Sequence, residues 1–236
     1  MFFGGTPNRL VLCVSVFAVS AVADIASAES NALHQCGVPK ITVAADDANT
    51  ARTVCTLASE TDTRLLSLGL QLSEPIQIEI TSALEAPQDV CVALYNPQRK
   101  KIQVLPLECL GDQHGRAITF PGMDAETYFE SLIIHEMVHA YIDQTPKGPF
   151  LTTLAQEYLA YAIQIDALPE SIRDVVIAKA AIEELVNFRD IRKSTLDQSP
   201  VRFSVLSWLH FKEAGGDAVM VNRVVEDRVL LFRLAR

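Results

Sequence analysis

The rhythm of apolar and polar side chains changes part-way along the chain. Pro75–Ile80 (PIQIEI) alternates apolar with polar residues, the period of a half-buried strand. Lys40–Ala45 (KITVAA), Val90–Tyr95 and Lys101–Leu107 also have strand character, the last two flanking the turn segment Asn96, Pro97, Gln98, Arg99. Between the first two strands, Ala48–Leu70 predicts a helix with Leu65, Leu66 and Leu70 on its apolar side and Gly69 at its end. Residues before Lys40 read as a polar leader, and Ala117–Phe120 adds a further short strand.

From Asp124 onward the helical period takes over. Asp124 caps a helix reaching about Asp143, which the two prolines and one glycine of Gln144–Pro149 must break. Three more helices follow, over about Leu151–Ala167, Glu170–Phe188 and Val201–Glu213, the last closed by Gly215 and Gly216; Asp217–Arg236 reads as a final helix and tail. The expected architecture is a single α+β domain over residues 29–236, with a sheet-rich half (about 37–123) backed by one helix and then a helical half (about 124–236).

The N-terminus stands apart from this pattern. A short polar segment ending at Arg9 leads into an uncharged, mostly apolar stretch, Leu10–Ala23, and then to the small residues Ala26, Ser27, Ala28, the order of a secretory signal peptide cleaved after Ala28. The apolar run falls short of the roughly 20 residues a membrane span needs, so no stable span is expected once residues 1–28 are removed. The protein is therefore expected outside the cytoplasm, periplasmic or extracellular. Four cysteines then remain, Cys36, Cys55, Cys91 and Cys109, without a Cys-x-x-Cys pair; an even number in an exported chain points to two disulfides, and the local pairing Cys36–Cys55 with Cys91–Cys109 fits the hairpin between the second pair.

Residues 1–28 carry one Arg and one Asp, so their removal leaves the net charge of −9 unchanged. With no dense basic cluster beyond Arg99, Lys100 and Lys101 at a turn, nucleic acid is excluded as a partner class.

The chemistry lies in the first helix of the C-terminal half. His135-Glu136-Met137-Val138-His139 spells His-Glu-x-x-His, and residues four apart share a helix face, so both imidazoles can point at one ion with Glu136 beside them. The flanks Leu132, Ile133, Ile134, Ala140, Tyr141 and Ile142 are uncharged, and burying three polar groups among them without a metal would leave those groups short of partners. Zinc takes about four ligands at roughly 2 Å, and a catalytic site uses three protein ligands and one open position. A carboxylate on the next helix is the economical third ligand. Glu157, eighteen positions after His139 in an otherwise neutral segment, can fold back beside the histidines; Asp143 and Asp166 are alternatives, but both sit near helix ends.

His135-Glu136-Met137-Val138-His139, followed downstream by Glu157-Tyr158-Leu159-Ala160-Tyr161, resembles the gluzincins, the thermolysin-like branch of zinc metallopeptidases. The strand-rich first half is likewise similar to the upper half of a zincin, in which a sheet and its backing helix lie over the motif helix. No Gly-x-x-His follows His139, so the metzincin branch does not fit. The resemblance implies Zn2+ held by His135, His139 and Glu157, Glu136 as general base and then acid, and a peptide or protein as substrate. Gluzincins add a His or Tyr donor for the oxyanion; His210 (in Trp208-Leu-His-Phe), Tyr158 and Tyr161 are the candidates. Tyr161 stands where the thermolysin group has an Asp supporting a zinc-bound His, so the supporting residue is open. His34 and His114, read as loop residues, receive no role. Gln103–Pro106 or Ala117–Phe120 are the candidate edge on which a peptide adds as a strand. Besides the peptidase, two readings remain: an exported zincin-fold binding or assembly protein that holds zinc without hydrolysis, and a metal-free helical interaction module.

Overall fold

Local signals start and stop the first long helix, α1 (Ala48–Ser67). The Asp47 side chain accepts hydrogen bonds from the N–H groups of Asn49 (3.0 Å) and Thr50 (2.7 Å). At the other end Gly69 adopts φ +80°, and the Leu70 N–H reaches back to the Leu65 carbonyl while the Gly69 N–H reaches Leu66, both at 3.0 Å. Ala51, Val54, Ala58, Thr61 and Leu65 form the buried stripe between these caps. The computed structural model describes residues 32–85, 92–112, 120, 122–180, 182 and 188–226. The expected signal peptide (1–28), Cys91, His114, residues 117–119 and the tail from 227 lie outside them.

Five strands form one mixed sheet: β1 (Ala32–Gln35), β2 (Ile41–Ala45), β3 (Ile76–Ile80), β4 (Ala93–Asn96) and β5 (Lys101–Val104), in the order β1-β2-β3-β5-β4. The three middle strands are parallel and both outer strands antiparallel to their neighbours. Parallel β2 and β3 need a crossover, and α1 provides it. In β3, Ile76, Ile78 and Ile80 face the core while Gln77 and Glu79 face the other way, as the alternation predicts. The β4–β5 turn is shaped by Asn96, whose side-chain oxygen accepts from the N–H groups of Gln98 and Arg99, each at 3.1 Å.

The second half is helical: α2 (Leu107–Asp112), α3 (Ala125–Gln144), α4 (Thr153–Ala167), α5 (Glu170–Lys179), α6 (Lys193–Gln198), α7 (Pro200–Glu213) and α8 (Ala218–Glu226). Asp124 caps α3 by accepting from the Thr127 N–H at 2.8 Å. Beyond Tyr128, α3 is buried on nearly every side because α1, β4, β5 and α4 all pack on it. α4 in turn lies between α3 and α7, and a single hydrophobic core runs from Cys36 to Val225. The fold class is therefore α+β, a small mixed N-terminal sheet followed by helices.

Several boundaries differ from the sequence reading. The polar leader contains β1, and His34 is in that strand rather than in a loop. The strand expected to reach Leu107 stops at Val104, and α2 starts at Leu107; α6 was not foreseen. The helix expected over Glu170–Phe188 is described as far as Lys179, and Phe188–Asp190 is a 3-10 turn. Gln103 belongs to β5, which is paired on both sides, so it lies on no free edge; on that side of the sheet the outer strand is β4. Gln103 is buried because Glu79 and the Glu85 N–H satisfy its amide.

Two constraints fix the halves. Cys36 and Cys55 form a disulfide that ties the β1–β2 junction to α1. Cys109, expected to pair with Cys91, is a half-buried free thiol. Gly148, in the 3-10 turn Gly148–Phe150 joining α3 to α4, sits so close to α3 that a Cβ there would lie 1.6 Å from the Ile142 carbonyl oxygen.

Asp166 joins three helices. Its carboxylate receives the Trp208 indole N–H at 3.0 Å and pairs with Arg64 of α1 and with Lys212 of α7, the latter at 3.2 Å. Burial pushes the Asp166 pKa up, but these donors outweigh it and hold the carboxyl below its ordinary value of 3.8. A depressed carboxylate contributes stability that is complete above the unfolded pKa and lost as pH falls through the folded one. Asp166→Asn is expected to cost about 1–2 kcal/mol at pH 7, because Arg64 and Lys212 are partly solvated and screened. In urea titrations the gap between variant and wild type should close below pH 3.8, the ordinary carboxylate value; a gap independent of pH would show that Asp166 acts through packing alone.

Candidate metal centre

His135 and His139 occupy successive turns of α3 on the side covered by α4. Contacts run in opposite directions along the two helices, Ser131 with Gln164 and His139 with Glu157, so α3 and α4 are antiparallel. That orientation brings Glu157 to both histidines. His135 Nε2 lies 3.5 Å from Glu157 Oε2, His139 Nε2 lies 3.6 Å from Oε1, and the two Nε2 atoms are 3.1 Å apart. Ligand atoms of these three residues all fall within 4.8 Å of one another, and the group could hold a metal ion. Two ligands at about 2.0–2.1 Å on a tetrahedral ion are roughly 3.3 Å apart, close to these separations.

A divalent cation also suits the polar atoms found there. Glu157 is 4% exposed, and its Oε2 is buried without a hydrogen-bond partner. Burial alone would raise its pKa, but the imidazoles of His139 and His135 overcome that and hold it low, so the carboxylate is ionised. Burial drives the pKa of His139 down to about 4, leaving the neutral ring that ligation requires. Burial would lower His135 as well, yet the adjacent Glu157 carboxylate turns the net shift upward. An ionised carboxylate beside a neutral imidazole, with one oxygen still lacking a hydrogen-bond partner, is a donor set that a cation would complete.

Glu136 stands beside this group on another side of α3. It is 9% exposed, and burial pushes its pKa up to about 7. The backbone N–H of Tyr95 in β4 lies close enough to oppose part of that rise. Leu105 N–H bonds to the Val92 carbonyl at 2.9 Å, so with the antiparallel register Val92, Leu94 and Asn96 turn their backbone groups to β5 while Ala93 and Tyr95 turn theirs to the outer edge. Glu136 therefore sits against the open side of the edge strand. The Tyr95 hydroxyl and the Lys100 ammonium meet Asp143 at 2.9 and 2.7 Å, clamping the β4–β5 hairpin to the end of α3. Asp143 and Asp166, the alternative third ligands, are thus both engaged elsewhere.

His210, the expected oxyanion donor, is not part of the ligand group. Its Nδ1 lies 2.7 Å from the Tyr158 hydroxyl, and burial lowers its pKa. Tyr161 is a wall: its ring meets that of His135 edge-on at 4.6 Å between centroids and packs against Phe203 and Phe120. The support for His135 comes from Gln164, whose Oε1 lies 3.0 Å from His135 Nδ1, while the Gln156 side chain is near enough to His139 to favour its charged form slightly. Neither glutamine was foreseen from sequence. Gln164 lies seven residues after Glu157, two turns along the same face, and that spacing was the available signal.

No curated protein and no solved structure matches the chain. A family model does match, over residues 41–234, a span that takes in β2 to β5 and α1 to α8. On that coverage the chain belongs to the family described as "Family of unknown function (DUF6639)".

Proposed function

We propose that this protein is an exported zinc metallopeptidase of zincin type, cleaving peptides or loosely folded proteins. The observation that carries the reading is the convergence of His135, His139 and Glu157 with a protonatable Glu136 held between that group and the edge of β4. The mixed sheet with α1 on it, lying over α3, is similar to the upper half of a zincin and adds architectural support. The Cys36–Cys55 disulfide fits an oxidising compartment, and among the described residues no helix is long and apolar enough to cross a membrane.

When bound, Zn2+ supplies Lewis acidity toward water and a peptide carbonyl. The residues of the chain do the rest. Glu136, with a pKa of about 7, accepts a proton from the attacking water and returns it to the leaving amine. The Tyr95 N–H aims the carboxylate. Ala93 and the Tyr95 carbonyl offer an extended peptide the backbone partners of a further strand. With Tyr158 as the donor in its 2.7 Å contact with His210 Nδ1, Nε2 would carry the ring hydrogen for donation to a developing oxyanion.

The test combines metal analysis with turnover. The purified protein is expected to contain one zinc per chain and to cleave members of a quenched fluorescent peptide library, with activity lost to chelator and restored by zinc. Stoichiometric zinc without turnover would replace the enzyme by a metal-holding binding protein. Absence of any divalent metal after refolding in its presence would overturn both.

A further inference from the structure

The support behind His135 has a direction that the hydrogen-bond donors themselves dictate. Ser131 Oγ lies 2.8 Å from the backbone carbonyl of Tyr128, which can only accept, so the hydroxyl donates its one hydrogen there. Ser131 Oγ is then left as an acceptor for the Gln164 amide, whose Nε2 lies 3.1 Å away. With its NH2 group facing Ser131, Gln164 presents Oε1 to His135 Nδ1 at 3.0 Å, and a carbonyl oxygen facing a ring nitrogen requires that nitrogen to carry the hydrogen. Reversing the amide would set NH2 against the ring and Oε1 against a hydroxyl with no hydrogen to give. All three side chains are buried, with Gln164 and Ser131 each 1% exposed, so water does not substitute for any link.

We infer that Gln164, pinned by Ser131, is a positioning residue that locks His135 in the Nδ1–H tautomer and so delivers an Nε2 lone pair to the metal. A one-way relay of neutral groups, Tyr128 carbonyl, Ser131 hydroxyl, Gln164 amide, does here what a carboxylate or a lone backbone carbonyl does behind other metal-bound imidazoles. Its neutrality matters in this site. Glu157 and Glu136 already place two carboxyl groups among buried side chains, and an amide orients the ring without adding a third. The inference rests on the metal-binding half of the proposed function and is independent of hydrolysis.

Ring tautomers can be read in the metal-free protein by long-range 1H–15N correlation at a pH where the ring is neutral, so the relay is tested apart from the metal. Wild type and Gln164→Glu are expected to show His135 protonated on Nδ1, whereas Gln164→Leu, of similar volume, is expected to show a mixture of tautomers. Zinc affinity, measured by competition with a chromophoric chelator, is expected to fall about 10- to 100-fold in Gln164→Leu and to fall less in Gln164→Glu, which keeps the acceptor but adds a third buried carboxyl. A wild-type ring protonated on Nε2, or a Gln164→Leu protein with the wild-type tautomer and affinity within about twofold, would overturn the inference. If Gln164→Leu does not fold, the wild-type and Gln164→Glu spectra still decide. If wild type takes up no zinc, the metal assignment fails, while the tautomer continues to judge the relay.

Discussion

Replacing Glu136 by Gln is expected to lower peptide hydrolysis by about 10²- to 10⁴-fold while the protein still binds its full complement of zinc. The separation of effects follows from the geometry: Glu136 is not one of the three converging ligands, yet it adjoins them and meets the Tyr95 N–H. Glutamine keeps the volume and still offers an oxygen to Tyr95, but it cannot accept and return a proton. Folding is expected to be unharmed or improved at neutral pH, since burial disfavours the Glu136 carboxylate and imposes no comparable penalty on an amide. Steady-state kinetics with metal analysis on the same preparation checks this. Unchanged kcat/KM in Glu136→Gln would remove Glu136 from the chemistry.

The second large effect concerns Glu157. In Glu157→Gln the two imidazoles lose their anionic partner, and zinc content is expected to drop from one per chain toward zero. Wild type and variant then diverge in their response to chelator. If free zinc stands at roughly a thousand times its Kd, the metal stabilises the wild type by about 4 kcal/mol. For a chain of this size that corresponds to a melting temperature roughly 10 °C higher, and chelator should erase it. Glu157→Gln should melt at one temperature with or without chelator, and at neutral pH it should fall somewhat below the stripped wild type, because it loses the favourable charge of a carboxylate whose pKa the imidazoles hold low. A wild type indifferent to chelator and to added zinc would show that the cluster is a hydrogen-bonded core.

Much of the centre could be read before any coordinates because α3 is buried nearly all round. In a helix whose flanks are Leu132, Ile133, Ile134, Met137 and Val138, three polar residues stand out, and they are the two histidines that could hold a metal ion and the proposed base. Glu157 could be found because a short connector forces α4 back along α3. Tyr95 could not: its contribution is a backbone N–H, determined by which strand lies at the edge, and nothing local distinguishes edge from interior. The same gap explains Gln103, in one of the two segments read as a candidate edge, whose partners, Glu79 and the Glu85 N–H, come from elsewhere in the chain. β1 escaped notice because it is four residues long, with Leu33 exposed and no alternation to detect. α2 and α6 have six residues each, too few turns for a helical period to register.

The close approach of Gly148 to the Ile142 carbonyl leaves the connector between α3 and α4 no slack. The two ligand-bearing segments are therefore braced against each other by main chain alone, whatever does or does not occupy the space between them. A cation bound by His135, His139 and Glu157 would find its donors already gathered by the fold, so little of its binding energy would go to assembling them.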